Sequence, residues 1–197
     1  VLNLEDKVEN YAYSIMSKKE RELYDSYLSD ARNELVNNDY KMSTVLSVIT
    51  RLRQIACEPR MFIDNVNVEN SKMNLLLEII EEKVSDNHKI LVFSQFTSVF
   101  PYVSERLDKL NIRHLELTGK TKTIDRKNLV DEFNSNNDIK VFLISLKAGG
   151  SGLNLTSADV VIHYDPWWNV AAMNQATDRA HRIGQENVLH VIKLINK

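Results

Sequence analysis

Val141-Phe-Leu-Ile144, continuing through Ser145-Leu-Lys147-Ala148-Gly149-Gly150-Ser-Gly152-Leu-Asn154-Leu155, decides the fold class. A strand with one wet face alternates apolar and polar residues. A strand apolar at every position is covered on both faces, the situation in parallel sheets whose crossover helices lie on each side. Ile90-Leu-Val-Phe93 reads the same way. Working outward, helical spacing predicts helices over 73–84, 99–110, 124–133 and 170–182. They alternate with predicted strands over 89–93, 112–117, 140–145, 160–164 and 188–194. The expectation is an α/β domain: an open, mostly parallel sheet flanked by helices.

Before residue 71 the pattern is different and mostly helical. Ser17 and Glu20 have capping-box spacing, and Leu23, Tyr24, Tyr27 and Leu28 recur at helical intervals. Asn37-Asn-Asp39 breaks the run, and a second helix through Val45, Leu46, Ile49, Leu52 and Ile55 ends before Pro59. Asp64 to Ser71 reads as a polar loop. Residues 1–71 are therefore expected to form a helical connector, and 72–197 the α/β domain.

The chain has 197 residues, 43% hydrophobic and 26% charged, an ordinary globular composition. No apolar run is long enough to span a membrane and no signal-peptide pattern is present, so no membrane partner is expected. The single cysteine, Cys57, cannot form an internal disulfide, no Cys/His cluster suggests a metal site, and an intracellular setting fits. The net charge of −2 gives no global sign of nucleic acid, so any such contact must be local. The chain begins with Val1 and reads as a piece of a longer protein.

Four of the five glycines and both tryptophans lie between Gly149 and Gly184. The glycine loop follows a buried strand, where glycine lets the backbone approach a ligand and lets successive amides point at a phosphate. Gln175, Arg179 and Arg182 stand at i, i+4 and i+7, one stripe of the predicted helix, with Met173, Ala176 and Ala180 forming an apolar stripe. Two arginines in register can fork onto phosphate oxygens and cannot lose their charge. Ser94, Gln95, Thr118 and Lys120 fall at or just past strand C-terminal ends, where open α/β sheets bind ligands. Thr118-Gly-Lys-Thr121 imitates the end of a phosphate loop, but the first glycine of that motif is replaced by His114, so no phosphate loop is expected.

In several stretches the chain resembles the Snf2 (SWI2/SNF2) family, ATP-driven translocases on double-stranded DNA within helicase superfamily 2. Residues 141–155, then Asp165-Pro-Trp-Trp-Asn169, then Gln175–Gln185 are similar to helicase motifs V and VI. Lys89–Phe96 resembles motif IV, Leu115–Lys120 with Arg126 and Phe133-Asn134 resembles motif IVa, and Met16–Tyr24 and Leu52–Pro59 resemble the family's connector.

The resemblance implies a C-terminal RecA-like motor lobe. Arg179 and Arg182 would be arginine fingers, with Gln175, Gly152 and Asn154 on the nucleotide side. Ser94, Gln95, Thr118, Lys120, Ser145, Lys147, Ala148, Gly149, Gly150 and Trp168 would face DNA. Lys147 stands where the family often has arginine, and Val170 where it usually has proline. ATP and Mg2+ would be held mainly by a first, N-terminal RecA-like lobe absent from this chain, leaving the fragment inactive alone. The alternatives are a nucleic-acid-binding or protein-interaction module without motor activity, a Rossmann-type enzyme and a DEAD-box RNA helicase. The Rossmann reading lacks its glycine fingerprint, because Phe93-Ser-Gln-Phe-Thr97 has no glycine, and DEAD-box motif VI ends in Gly-Arg where this chain has Gly184-Gln185.

Overall fold

The structure is a computed structural model that describes residues 6–37, 40–63, 66–149 and 152–197. Its strands are β1 (Lys7–Ser14), β2 (Ile90–Ser94), β3 (His114–Leu117), β4 (Val141–Ser145), β5 (Val160–His163) and β6 (Leu189–Asn196). The helices are α1 (Lys18–Asn37), α2 (Met42–Cys57), α3 (Ser71–Ser85), α4 (Phe100–Lys109), α5 (Thr123–Ser135), α6 (Leu146–Gly149) and α7 (Val170–Thr177). By contacts the chain forms two compact units. One is Leu76–Ile195 with the described part of Val1–Ala12, and the other is Tyr13–Leu75 with Asn196–Lys197.

The six strands make one sheet in the order β1-β6-β5-β2-β4-β3. β2 runs parallel to β4 and β5, β3 to β4, and β5 to β6. The α/β sheet flanked by helices is the architecture that the all-apolar strands predicted. The reason is visible in β2, where Ile90 and Val92 on one face and Leu91 and Phe93 on the other are all at most 1% exposed. β4 and β5 are likewise buried along their whole length. Each such side chain contributes about 1.5–3 kcal/mol on burial, so burial on both faces specifies the sheet firmly. One face carries a core built from Leu91, Phe93, Phe133, Phe142, Val161 and Val191.

β1 has no counterpart in the sequence reading. Its residues are mostly exposed and do not alternate cleanly, and it becomes a strand only by lying beside β6. Two points on that edge are the bond from Leu189 N–H to the Asp6 carbonyl at 3.0 Å and the ion pair of Glu9 with Lys193 at 2.8 Å.

The helical unit is held by polar caps. Ser17 and Glu20 form the expected reciprocal box: Glu20 N–H donates to Ser17 Oγ at 3.3 Å and Ser17 N–H to Glu20 Oε2 at 2.6 Å. Glu20 does more than the motif requires, because its carboxylate also accepts Ser71 N–H at 2.7 Å and the Ser71 hydroxyl, capping the start of α3. Asn70 Oδ1 accepts the Met73 N–H at 2.8 Å, while Asn70 Nδ2 donates to the Cys57 carbonyl at 2.8 Å. One buried amide thus joins the end of α2 to the beginning of α3.

Candidate functional site

The strand register brings the expected DNA-facing positions together. Ser94 lies opposite Ser145 at the ends of β2 and β4, and Leu117, just before Thr118, lies opposite Ile144. Neighbouring strands are about 4.8 Å apart, so the loops after β2, β3 and β4 rise side by side from one edge of the sheet.

Within that edge the residues divide into a scaffold and a presented set. Ser94 is 1% exposed and its hydroxyl accepts the Phe96 N–H at 3.0 Å, holding its own turn. Ser145 is 4% exposed and its hydroxyl caps α6 by accepting the Ala148 N–H at 3.1 Å. Ala148 and Gly149 are buried as well. The close approach that Gly149 allows is to the core: a Cβ there would lie 2.8 Å from Phe93 Cε1. Gly150 lies outside the described residues.

The presented set comprises Lys120, Lys147, Gly152, Asn154 and Trp168, all exposed, with Gln95 and Thr118 half-buried. Gln95 N–H donates to the buried Asp165 carboxylate at 3.0 and 3.2 Å, fixing the loop after β2 to the loop after β5. Thr118 Oγ1 accepts the Lys120 N–H at 3.3 Å in a tight turn. Trp168 is 63% exposed, with its ring centroid 5.5 Å from that of Trp167. Asn169 is the N-cap of α7, its Oδ1 accepting the Ala172 N–H at 3.1 Å.

The arginine segment departs from the sequence reading. α7 ends at Thr177, not near residue 182, so Gln175 lies in the last turn of the helix while Arg179 and Arg182 lie in the turns beyond it. The Thr177 carbonyl accepts both Ala180 N–H and His181 N–H, at 3.0 and 3.1 Å. Instead of the Asp178 carbonyl that a continuing helix would use, the Arg182 N–H takes the Ala180 carbonyl at 3.0 Å; Arg179 O accepts the Leu155 N–H at 2.9 Å, and Ala180 O also accepts from the Gln185 side chain at 3.2 Å. The apolar stripe survives this change, with Met173, Ala176 and Ala180 all buried.

Gln175 and Arg182 are exposed and Arg179 is half-buried. Arg179 Nε is shielded from solvent without a hydrogen-bond partner among the described residues. Gly152, with φ of 75°, has a conformation that suits glycine, and the Asn154 carbonyl accepts from Asn134 Nδ2 at 2.8 Å. The bond between Leu155 and Arg179 therefore sets the glycine-loop residues Gly152–Asn154 beside the arginine turn. A groove of about 350 Å³ runs along Gly152, Leu153 and Asn154 against Arg126 and Lys127 of α5.

Among the described residues no three His, Cys, Asp or Glu side chains come together to hold a metal ion, and no helix is long and apolar enough to cross a membrane. His163, behind the site, stacks on Phe93 with centroids 5.8 Å apart and bonds Thr177 Oγ1 at 2.9 Å. Burial pushes its pKa down to about 4, and the nearby Lys193 adds to the effect. It serves α7 as a neutral hydrogen-bonding group.

Two positions that organise the site stand in the quoted motifs without a role of their own in the sequence reading. Asp165 and Gln185 are polar side chains only 7% and 6% exposed. A carboxylate or amide among glycines and tryptophans signals a polar anchor only when its burial is known.

A helicase conserved C-terminal domain matches residues 71–184. The uncharacterized ATP-dependent helicase MG018 of Mycoplasma genitalium is 40% identical over 195 residues, 98% of this chain and 19% of that protein. A SWI/SNF-related chromatin regulator of Xenopus tropicalis is 37% identical over 82% of this chain and 16% of its own length. This chain thus spans about a fifth of the length of such relatives. Among solved structures, the Sulfolobus solfataricus SWI2/SNF2 ATPase core in complex with double-stranded DNA has a TM-score of 0.82 at 30% identity, covering 97% of this chain and 41% of that one. The C-terminal part of the Fun30 ATPase domain has a TM-score of 0.86 at 23% identity, covering 99% of this chain and 86% of that one, a likeness of fold.

Proposed function

The chain belongs to the family of helicase conserved C-terminal domains and, within it, is a C-terminal lobe of the Snf2 type; from this premise we propose that it is the second motor lobe of a DNA-dependent ATPase that moves along double-stranded DNA. Residues 1–71 would be the connector from an N-terminal RecA-like lobe, and 72–197 the motor lobe proper. That first lobe would supply the phosphate loop and the ligands of Mg2+, in an intracellular setting.

The observation that carries this reading is Arg179, whose Nε is shielded and has no hydrogen-bond partner among the described residues, beside the loop of Gly152 and Asn154. A guanidinium in that state has an unsatisfied N–H donor for phosphate oxygens. When the two lobes close on ATP, Arg179 and Arg182 would meet the γ-phosphoryl group, with Gln175 supporting and Asn154 on the ribose side. Two arginines stabilise the charge spread over the transferring group, and lobe closure assembles the site only with nucleotide in place. Bound Mg2+ neutralises part of the phosphate charge.

At the sheet edge, Lys120, Lys147, Thr118 and Gln95 would track a DNA backbone and Trp168 would enter the minor groove. Ser94, Ser145, Ala148 and Gly149 would act through the shape of their loops. The isolated lobe, holding only half of such a site, would not hydrolyse ATP.

The test is ATP hydrolysis by the longer parent protein, with and without double-stranded DNA, for wild type and Arg182→Ala. DNA-stimulated turnover that the variant loses while still binding ATP supports the reading. An unimpaired variant, or no DNA stimulation of wild type, overturns it.

A further inference from the structure

Resting on the proposed role of Arg179 and Arg182, we propose that Gln185 is their positioning residue, a buried amide that locks the arginine turn in the geometry used for turnover. Because α7 stops at Thr177, the segment 178–184 is held by turn bonds rather than a regular ladder, the last of them from Arg182 N–H to the Ala180 carbonyl at 3.0 Å. Gln185 adds side-chain bonds to these turns. Its Nε2 donates to the Ala158 carbonyl at 2.7 Å and to the Ala180 carbonyl at 3.2 Å, and its Oε1 accepts the Asn187 N–H at 3.1 Å. Its backbone N–H donates to the Arg182 carbonyl at 2.9 Å.

One side chain, 6% exposed, therefore ties the residue between the two arginines to the segment that leads into β5. Both amide hydrogens are used and both meet carbonyls, so donors are required at this position. The second tether of the turn, from Leu155 N–H to Arg179 O, is a backbone bond that Gln185 variants leave in place. Loss of the amide frees the Arg182 end while the rest of the lobe keeps its core.

This arrangement gives a distinctive test in the parent protein with ATP and DNA, using Gln185→Glu and Gln185→Met. An ionised glutamate is acceptor-only and would oppose two carbonyls, whereas a protonated one donates a hydrogen bond again. The charged and titratable residues next in sequence to the amide and its carbonyl partners are Asp178, Arg179, His181 and Arg182 around Ala180, Glu186 beside Gln185, and Asp159 beside Ala158. The Asp159 carboxylate is engaged by His88 Nδ1 at 2.8 Å. All are shared with wild type, so the ratio of variant to wild-type rate isolates residue 185.

At pH 8, kcat for both variants falls by about tenfold or more, the effect of a lost buried donor. Binding of a fluorescent ATP analogue stays near wild type, and the melting temperature falls by a few degrees while the lobe remains folded. As the pH is lowered to 6, Gln185→Glu recovers relative to wild type and Gln185→Met does not. Wild-type kcat in both variants overturns the proposal. So does an equal, pH-independent loss accompanied by weaker nucleotide and DNA binding, or unfolding of both variants at each pH. If Arg182→Ala leaves turnover intact, the arginine-finger reading itself fails. If Arg182→Ala abolishes turnover while the Gln185 variants behave as wild type, only the present inference fails.

Discussion

The Leu155 backbone N–H donates to the Arg179 carbonyl at 2.9 Å, joining the glycine loop after β4 to the turn after α7. These segments are 24 residues apart in sequence (179 − 155), and the bond makes them one surface. Asn154 and Arg179, both expected on the nucleotide side from the family resemblance, are thereby placed at neighbouring points of it.

Gly149 is expected to tolerate no side chain. A Cβ there meets Phe93 Cε1 at 2.8 Å, and Phe93 is 1% exposed and stacked on His163. Overpacking of this kind costs about 1–3 kcal/mol, so Gly149→Ala should lower the melting temperature of the chain. Phe93→Leu combined with Gly149→Ala should lose less than the sum of the single changes, because the ring is the obstacle. Strict additivity in urea unfolding would contradict the contact.

Glu58 is expected to make the helical unit acid-sensitive. Burial pushes its carboxyl up, but the Arg60 side chain and backbone N–H and the Asn70 amide outweigh burial and hold the pKa below its ordinary 4.5. The Arg60 bonds are 2.8 Å from both Nε and Nη2. A carboxylate whose folded pKa is depressed contributes stability above its unfolded pKa and loses it as the pH falls through the folded value. Wild type should exceed Glu58→Gln by on the order of 1–2 kcal/mol at pH 7, discounted for the partial exposure of Arg60. The gap should close below pH 4.5, and urea unfolding across that window measures it.

His163 should titrate near pH 4, well below the ordinary 6.5, because burial disfavours its charged form. The unfolded chain takes up this proton first as the pH falls. The stability that follows from keeping the ring neutral is therefore complete above pH 6.5 and is lost between 6.5 and about 4. The linkage is on the order of 3 kcal/mol. Imidazole proton shifts followed by NMR check this, and a midpoint near 6.5 would refute the buried neutral ring.

Trp168 and Lys147 are expected to separate DNA binding from stability. Both are exposed, so Trp168→Ala and Lys147→Ala should leave the melting temperature near wild type. In the parent protein each should weaken binding to double-stranded DNA. Lys147→Ala should also reduce the slope of log K against log salt by about one. An unchanged slope would remove Lys147 from the phosphate contacts.

By itself the sequence determined the parts of this lobe that depend on local pattern. Ile90–Phe93 and Val141–Ile144, apolar throughout, could only be strands covered on both faces, and the Ser17–Glu20 spacing specified a helix start. The order of the glycine, tryptophan and arginine motifs carried the family. Tertiary structure decided what depends on partners distant in the chain. β1 is a strand because β6 lies beside it, not because its residues alternate. The end of α7 is of the same kind: its spacing continues helically through Arg182, but the backbone turns, with the Arg182 N–H on the Ala180 carbonyl, and the turn is tied by Leu155 and Gln185. Periodicity reports which face of a segment is apolar. It carries no information about a backbone hydrogen bond contributed from 24 residues away, and here such a bond ties the turn that carries Arg179 to the glycine loop.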